Sequence, residues 1–363
     1  MNFPALDIAV FLVILGVMVI AHELGHFIMA KRAGVRVEEF GFGYPPRVFG
    51  FRRGETIYSL NLIPIGGFVK MLGEEDPTHE RSFARASKLW RATVLLAGPG
   101  MNLLLAVLLF AASFMAGWPT PLANEVVIAG VQPGSPAESA GLRPSDIVTE
   151  IAGQPFSSMQ DIRTAARANV GRELILTVRR DGASLPVKVQ PRGEPGPNLG
   201  TIGVSLGQRP TQIVRKAYPP HVALFKGAQQ TAEVVALTLY VPVLAIRGQV
   251  PAEAARPVGP IGIFDVVAQA TSQTVLRSWW FPLLSTTALL STGLGIANLL
   301  PIPGLDGGRL LFVALEAVRR KRVSPEREGL IHLVGIAFLL SLVLIISYFD
   351  VLAPVGAIDW GPQ

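Results

Sequence analysis

The feature that most constrains this chain is where its charges are missing. Ile8 to Ala21 carries none, and beyond His22, Glu23 and His26 the apolar run continues to Ala30. Ala92–Asn124 and Ser278–Leu305 hold no charged residue, and Leu330–Phe349 holds no Asp, Glu, Lys or Arg. A helix needs about 20 apolar residues to cross a bilayer core, and each stretch can supply them. We read four transmembrane helices, near 7–29, 93–117, 280–301 and 330–349. Buried helices of a large soluble core are the alternative, and runs this long disfavour it. The first stretch lacks the basic flank and the clear small-residue cleavage site of a signal peptide. Val234–Ile246 is also uncharged, but it has only 13 residues and Pro242 interrupts it. That length suits an interfacial or re-entrant helix better than a span.

Composition narrows the class. Half of the 363 residues are hydrophobic, 16% are charged and none is cysteine. This excludes disorder, a disulfide framework, a thiol nucleophile and a thiolate-held metal. A net charge of +6 would permit nucleic acid as a partner, but the positions of the charges point to a membrane instead. The loop from Met29 to Arg91 holds 11 Lys/Arg, and the short loop Arg319–Glu328 holds five. Basic loops stay in the cytoplasm, so both termini and the long segment between the second and third spans are expected outside. No nucleic-acid partner is expected.

That exterior segment begins as a small α+β module. Val126–Ile128 and Leu174–Val178 have strand composition, and Asp181-Gly182 between Thr177–Arg180 and Leu185–Val189 is a hairpin turn. Ser157–Ala168 reads as a helix capped by Ser157 or Ser158. Arg192–Pro197 reads as a linker. Residues 200–278 mix a strand-like Ile202–Leu206 with amphipathic pieces and are expected against the outer membrane surface. Val131-Gln-Pro-Gly-Ser-Pro-Ala137, Ala140-Gly-Leu142, Asp146-Ile-Val148 and Ile151-Ala-Gly-Gln154 resemble a PDZ domain of the bacterial protease type, covering 125–192. Ser145 stands where that family usually has glycine. The resemblance implies a site for an extended peptide or a C-terminus, added as a strand. A steric spacer is the alternative.

The chemistry concentrates in the first span, which ends in His22-Glu23-Leu24-Gly25-His26. Residues four apart share a helix face, so both imidazoles can grip one metal ion with Glu23 beside it as general base. A pair of packing histidines is the bland alternative, but an ionisable glutamate inside a span is costly and marks a functional site. A catalytic zinc site takes three protein ligands. Asp306, past the third span, lies at the matching depth and is the only acid from Gln273 to Leu315. Prolines and glycines break the helix around it, as backbone lining a cavity does. A cap of the helix that follows is the alternative for Asp306, and its depth opposite HExxH disfavours it.

These motifs together resemble the site-2 protease family of intramembrane zinc proteases, in its bacterial regulator-of-sigma-E form with a single PDZ domain. The resemblance runs from the first span to the fourth. It is carried by HExxH, by Gly98-Pro99-Gly100-Met101-Asn102, by the PDZ-like segment and by Asn298…Pro301-Ile-Pro303-Gly-Leu-Asp306-Gly. It implies that His22, His26 and Asp306 hold Zn2+, that Glu23 is catalytic and that Asn298 handles the substrate backbone. Tyr58–Leu72 resembles the family's membrane-dipping β-hairpin, which presents substrate as an added strand. Asn61, Gly66 and Gly67 within it are then substrate-binding. Partners implied are single-span membrane proteins such as anti-sigma factors or signal-peptide remnants. A metal-ion transporter and a non-catalytic PDZ scaffold are the other readings. No inverted repeat supports the first, and Glu23 has no use in the second.

The expected fold class is a polytopic α-helical membrane protein with an inserted extracytoplasmic PDZ (α+β) domain. Residues 1–118 form the N-terminal membrane part, with a cytoplasmic membrane-associated hairpin at 40–72. Residues 125–192 form the PDZ domain, 193–278 a linker and membrane-surface segment, and 279–363 the C-terminal membrane part. The expected location is the cytoplasmic membrane, multi-pass, with the active site towards the cytoplasm. His332, opening the fourth span, is expected to be interfacial or packed rather than second shell to the metal.

Overall fold

A computed structural model describes residues 4–74, 76–156, 158–193, 200–250, 256–321 and 323–360. Ser157, Arg322 and most of the linker read at Arg192–Pro197 fall outside these. The chain divides into two compact units, Met1–Trp118 with Lys216–Trp360, and Pro119–Arg215.

The first unit opens with helix α1 (Pro4–Arg32), which ends on Lys31 and Arg32 ahead of Gly34 in the left-handed region. Strands β1 (Val37–Arg53) and β2 (Thr56–Met71) follow. Both strands fold back on themselves, so Phe40 of β1 pairs with Tyr58 on one side and Val69 on the other. The pair therefore makes four rungs, ordered 67–71, 37–44, 57–63 and 47–53. The expected hairpin is thus a small folded sheet whose 67–71 edge no other strand pairs among the described residues. Helix α2 (Lys88–Met115) starts at Ser87, whose hydroxyl accepts from the Trp90 N–H at 3.3 Å.

The second unit has its own core of Ile128, Ile162, Leu176, Val178 and Val189. Its elements are β3 (Trp118–Val131), α3 (Pro136–Ser139), β4 (Ile147–Ile151), α4 (Met159–Ala168), β5 (Leu174–Arg180), β6 (Ala183–Val189) and β7 (Val204–Lys216). The sheet order is β6-β5-β4-β3-β7. Asp181 and Gly182 both have positive φ, as a two-residue hairpin turn requires. Ser158 caps α4, its N–H donating to the Asp161 carboxylate at 2.9 Å. Ser145 has φ 75, which accounts for a glycine preference there. The module is larger than 125–192. Ile202 joins the core and β7 adds an edge strand, a long-range pairing that local patterning does not reveal.

The chain then returns to the first unit as α5 (Pro220–Ile246), α6 (Pro260–Arg277), α7 (Phe281–Leu299), α8 (Asp306–Arg319) and α9 (Pro325–Leu352). Among the described residues, four helices are long and apolar enough to cross a membrane: α1, α2, α5 and α9. Three coincide with expected spans. The fourth corrects the reading of 234–246 as a 13-residue piece, because α5 is one helix of 27 residues. Glu233 ended the uncharged run at Val234, and Lys226 lies further back in the same helix. Its ammonium stands over the rings of Tyr218 and Phe114, 4.9 and 5.8 Å from their centroids.

The expected third span is α7, 19 residues long. It is the less apolar helix because its buried face carries Ser285, Thr286, Thr287, Ser291 and Thr292. Lipid tails are as apolar as leucine, so helix contacts in a membrane favour small and hydroxyl residues and close approach. The interior helix is therefore hydroxylated, while α9, with 6% of its apolar window buried, is the most apolar.

Candidate metal centre

The two histidines of α1 meet α2 at a point where the backbones touch. A Cβ on Gly25 would lie 2.2 Å from the Ala97 carbonyl oxygen, so only glycine permits this approach. Gly98, on α2, opens the space the imidazoles fill. A Cβ there would lie 2.3 Å from His26 Nε2 and 2.9 Å from His22 Cε1.

His26 is buried, and its Nδ1 lies 2.8 Å from the Val94 carbonyl oxygen. A carbonyl only accepts, so Nδ1 carries the proton and Nε2 keeps its lone pair. His22 Nδ1 lies 3.2 Å from the side-chain amide of Asn102. The two Nε2 atoms are 3.1 Å apart, and Asp306 Oδ2 lies 3.1 Å from His22 Nε2 and 3.2 Å from His26 Nε2.

Asp306 is the first residue of α8. Its carboxylate is turned to the imidazoles; the backbone oxygen of Leu305 accepts the N–H groups of Gly308 and Arg309, at 3.1 and 3.2 Å. Two ion pairs hold α8 in place. Arg309 reaches Glu74, beyond β2, at 2.8 Å, and Arg91 of α2 reaches Glu316 at 2.7 Å. The loop before Asp306 is braced by α9, where His332 Nδ1 accepts the Gly304 N–H at 2.9 Å while its ring packs edge-on to Phe312. His332 is thus a packed residue that supports the loop.

The three groups open on a cavity of about 450 Å³ that Glu23, Asn298, Gly66, Gly67 and Tyr44 also line. Seven of the eight expected site residues therefore come together. Asn61 does not, and its expected substrate contact is corrected. It is buried inside the sheet, and its amide donates to the carbonyl oxygens of Gly43 at 3.0 Å and Phe42 at 3.4 Å. The fold-back of β1 and β2 consumes it. Reading along the chain missed the roles of Gly98, Asn102 and Arg309. The first two lie in the Gly-Pro-Gly-Met-Asn motif, noted only as a resemblance.

This geometry agrees with what the chain is similar to. The family model for peptidase family M50 matches residues 10–342. The chain belongs to peptidase family M50. Zinc metalloprotease RasP of Oceanobacillus iheyensis is 31% identical to it, over 95% of this chain and 98% of that one. Regulator of sigma-W protease RasP of Bacillus subtilis is 29% identical, over 94% and 97%. Zinc metalloprotease RasP of Geobacillus kaustophilus is 30% identical, over 94% and 96%. This M50 peptidase is an intramembrane zinc metalloprotease and a multi-pass membrane protein.

The donor set fits zinc. His22, His26 and Asp306 form the one three-ligand cluster of His, Cys, Asp or Glu among the described residues. Ligand atoms about 2.0 Å from one tetrahedral ion stand about 3.3 Å apart, close to the separations of 3.1–3.2 Å found here. Two nitrogens and a carboxylate, with space left on the cavity side, are the pattern of a catalytic rather than a structural site.

Proposed function

We propose that this peptidase cuts membrane-spanning segments of single-span proteins at the centre formed by His22, His26 and Asp306. The observation that carries the reading is the convergence of those three ligand atoms with Glu23 and an open sheet edge around one cavity. Bound zinc supplies Lewis acidity toward a water and the scissile carbonyl. Glu23 takes a proton from the attacking water and returns it to the leaving amine. A helical substrate keeps its carbonyls in its own hydrogen bonds, so it must unwind before it can be cut. The 67–71 edge offers replacement bonds to the unwound segment by strand addition, with Gly67 packed closely on Val19 and Glu23 of α1 and Gly66 against the Tyr44 ring. Asn298 holds the segment's backbone from the α7 side.

In this reading the centre faces the cytoplasm and the chain sits in the cytoplasmic membrane. The second unit is an extracytoplasmic PDZ domain that takes an extended peptide or C-terminus. The substrates are anti-sigma factors or signal-peptide remnants. A metal transporter would not need an open strand edge at its metal.

The test compares wild type with Glu23→Gln, reconstituted with a tagged single-span substrate, measuring cleavage and bound zinc. We expect cleavage to fall at least about 10²-fold with zinc retained. Cleavage at the wild-type rate in Glu23→Gln would reject the assignment.

A further inference from the structure

Asn102 is a fully enclosed polar side chain beside the centre, with 0% exposure. It sits on α2 one turn beyond Gly98, and its backbone carbonyl accepts the Ser291 hydroxyl of α7 at 2.8 Å. Fully enclosed, its side chain has little freedom except a half-turn of the amide. Nδ2 faces His22 Nδ1 at 3.2 Å, while Oδ1 is buried without a hydrogen-bond partner among the described residues.

Those two facts conflict with metal binding. An amide N–H pointing at Nδ1 needs the lone pair there, which puts the ring proton on Nε2. Nε2 is the atom that faces His26 and Asp306, and a protonated nitrogen cannot ligate. Exchanging the amide oxygen and nitrogen removes the conflict, and the two ends of an amide are assigned by such network arguments. His26 already follows the required pattern, with a pure acceptor, the Val94 carbonyl, opposite its Nδ1.

We propose that Asn102 is a positioning residue for His22. Its side-chain oxygen accepts the Nδ1–H, fixes the tautomer and presents Nε2 to the metal. The inference rests on the ligand assignment proposed above. Partners of this kind set ring orientation and ligand basicity, and their loss weakens metal binding about 10- to 100-fold. Asn102 is also the pin through which α7 and α2 hold α1's first ligand.

The test measures zinc affinity of the full-length protein in detergent by chelator competition, with metal counted by mass spectrometry. The variants are Asn102→Leu, which has no acceptor, and Asn102→Asp, which has only acceptors. We expect Asn102→Leu to lose about 10- to 100-fold in zinc affinity and Asn102→Asp to stay within about threefold of wild type. A merely structural role would not be rescued by aspartate. Wild-type zinc affinity in Asn102→Leu would overturn the proposal, and so would Asn102→Asp binding more weakly than Asn102→Leu. His22→Ala run alongside separates the two levels: zinc retained at wild-type affinity there overturns the ligand assignment itself. Zinc lost in His22→Ala but not in Asn102→Leu overturns only the role of Asn102.

Discussion

Gly98→Ala is the sharpest perturbation the structure offers, because helix propensity and site geometry predict opposite outcomes. Gly98 lies inside α2. Judged as a helix position alone, alanine should stabilise by about 1 kcal/mol. Its methyl, however, would stand 2.3 Å from His26 Nε2 and 2.6 Å from its Cε1, where ordinary contact begins near 3.4 Å. The ring cannot retreat without losing the 2.8 Å bond from Nδ1 to Val94. His26 must therefore move by roughly 1 Å and His22 by about half that, and a displacement of about 1 Å is worth about 10²-fold in rate when it falls on catalytic geometry. Gly100, two residues on, has nothing within 4 Å of its Cβ position, so Gly100→Ala is the matched control. The assay is zinc content of purified protein together with cleavage of a tagged single-span substrate. We expect Gly98→Ala to retain little zinc and to lose at least about 10²-fold in cleavage, and Gly100→Ala to match wild type. A Gly98→Ala protein with wild-type zinc and cleavage would refute the packing argument.

Other outcomes follow from the second unit. Ser145 holds φ 75, so Ser145→Gly should raise the stability of that unit by about 0.5–1 kcal/mol, read as hydrogen-exchange protection of residues 126–189 in the full chain. Asp146 is buried against Arg180 at 2.6 Å. Burial raises its carboxyl, but hydrogen bonds from Arg180 and the Arg143 N–H outweigh it and hold the group below its ordinary value. The stabilisation is therefore full above an unfolded pKa of about 3.9 and is lost as pH falls through the lower folded value. Arg180→Met should cost about 2–3 kcal/mol, below the 3–5 of a fully buried pair, because Arg180 keeps 20% exposure. Unchanged exchange rates in that variant would count against the pair.

How much of this was legible along the chain depended on distance. HExxH is a contact within one helix turn, and α1 forms from local apolarity, so His22, Glu23 and His26 could be grouped without a fold. Asp306 stood out because it breaks an uncharged run at the matching depth, and its carboxylate, turned to the imidazoles, leaves capping to the backbone. The span count was less secure. Counting charges passed over α5 because Glu233 and Lys226 both interrupt it, and an aromatic pair accommodates the lysine. Asn61 was misplaced because nothing local says that β1 and β2 each fold back.

The sequence by itself determined what short windows can determine. Apolar runs long enough to be helices in lipid, two ligands four residues apart and a strand-turn-strand hairpin at Asp181-Gly182 all follow from period and solvation cost. The tertiary structure alone decided which elements touch. The α1–α2 approach at Gly25 and Gly98 sets the cavity the imidazoles occupy, and α7 fixes Asn102 behind His22. The sheet folds so that 67–71, not Asn61, borders the metal cavity. These are close approaches between backbones far apart in the chain. Their energy lies in packing and hydrogen bonds that no local pattern encodes.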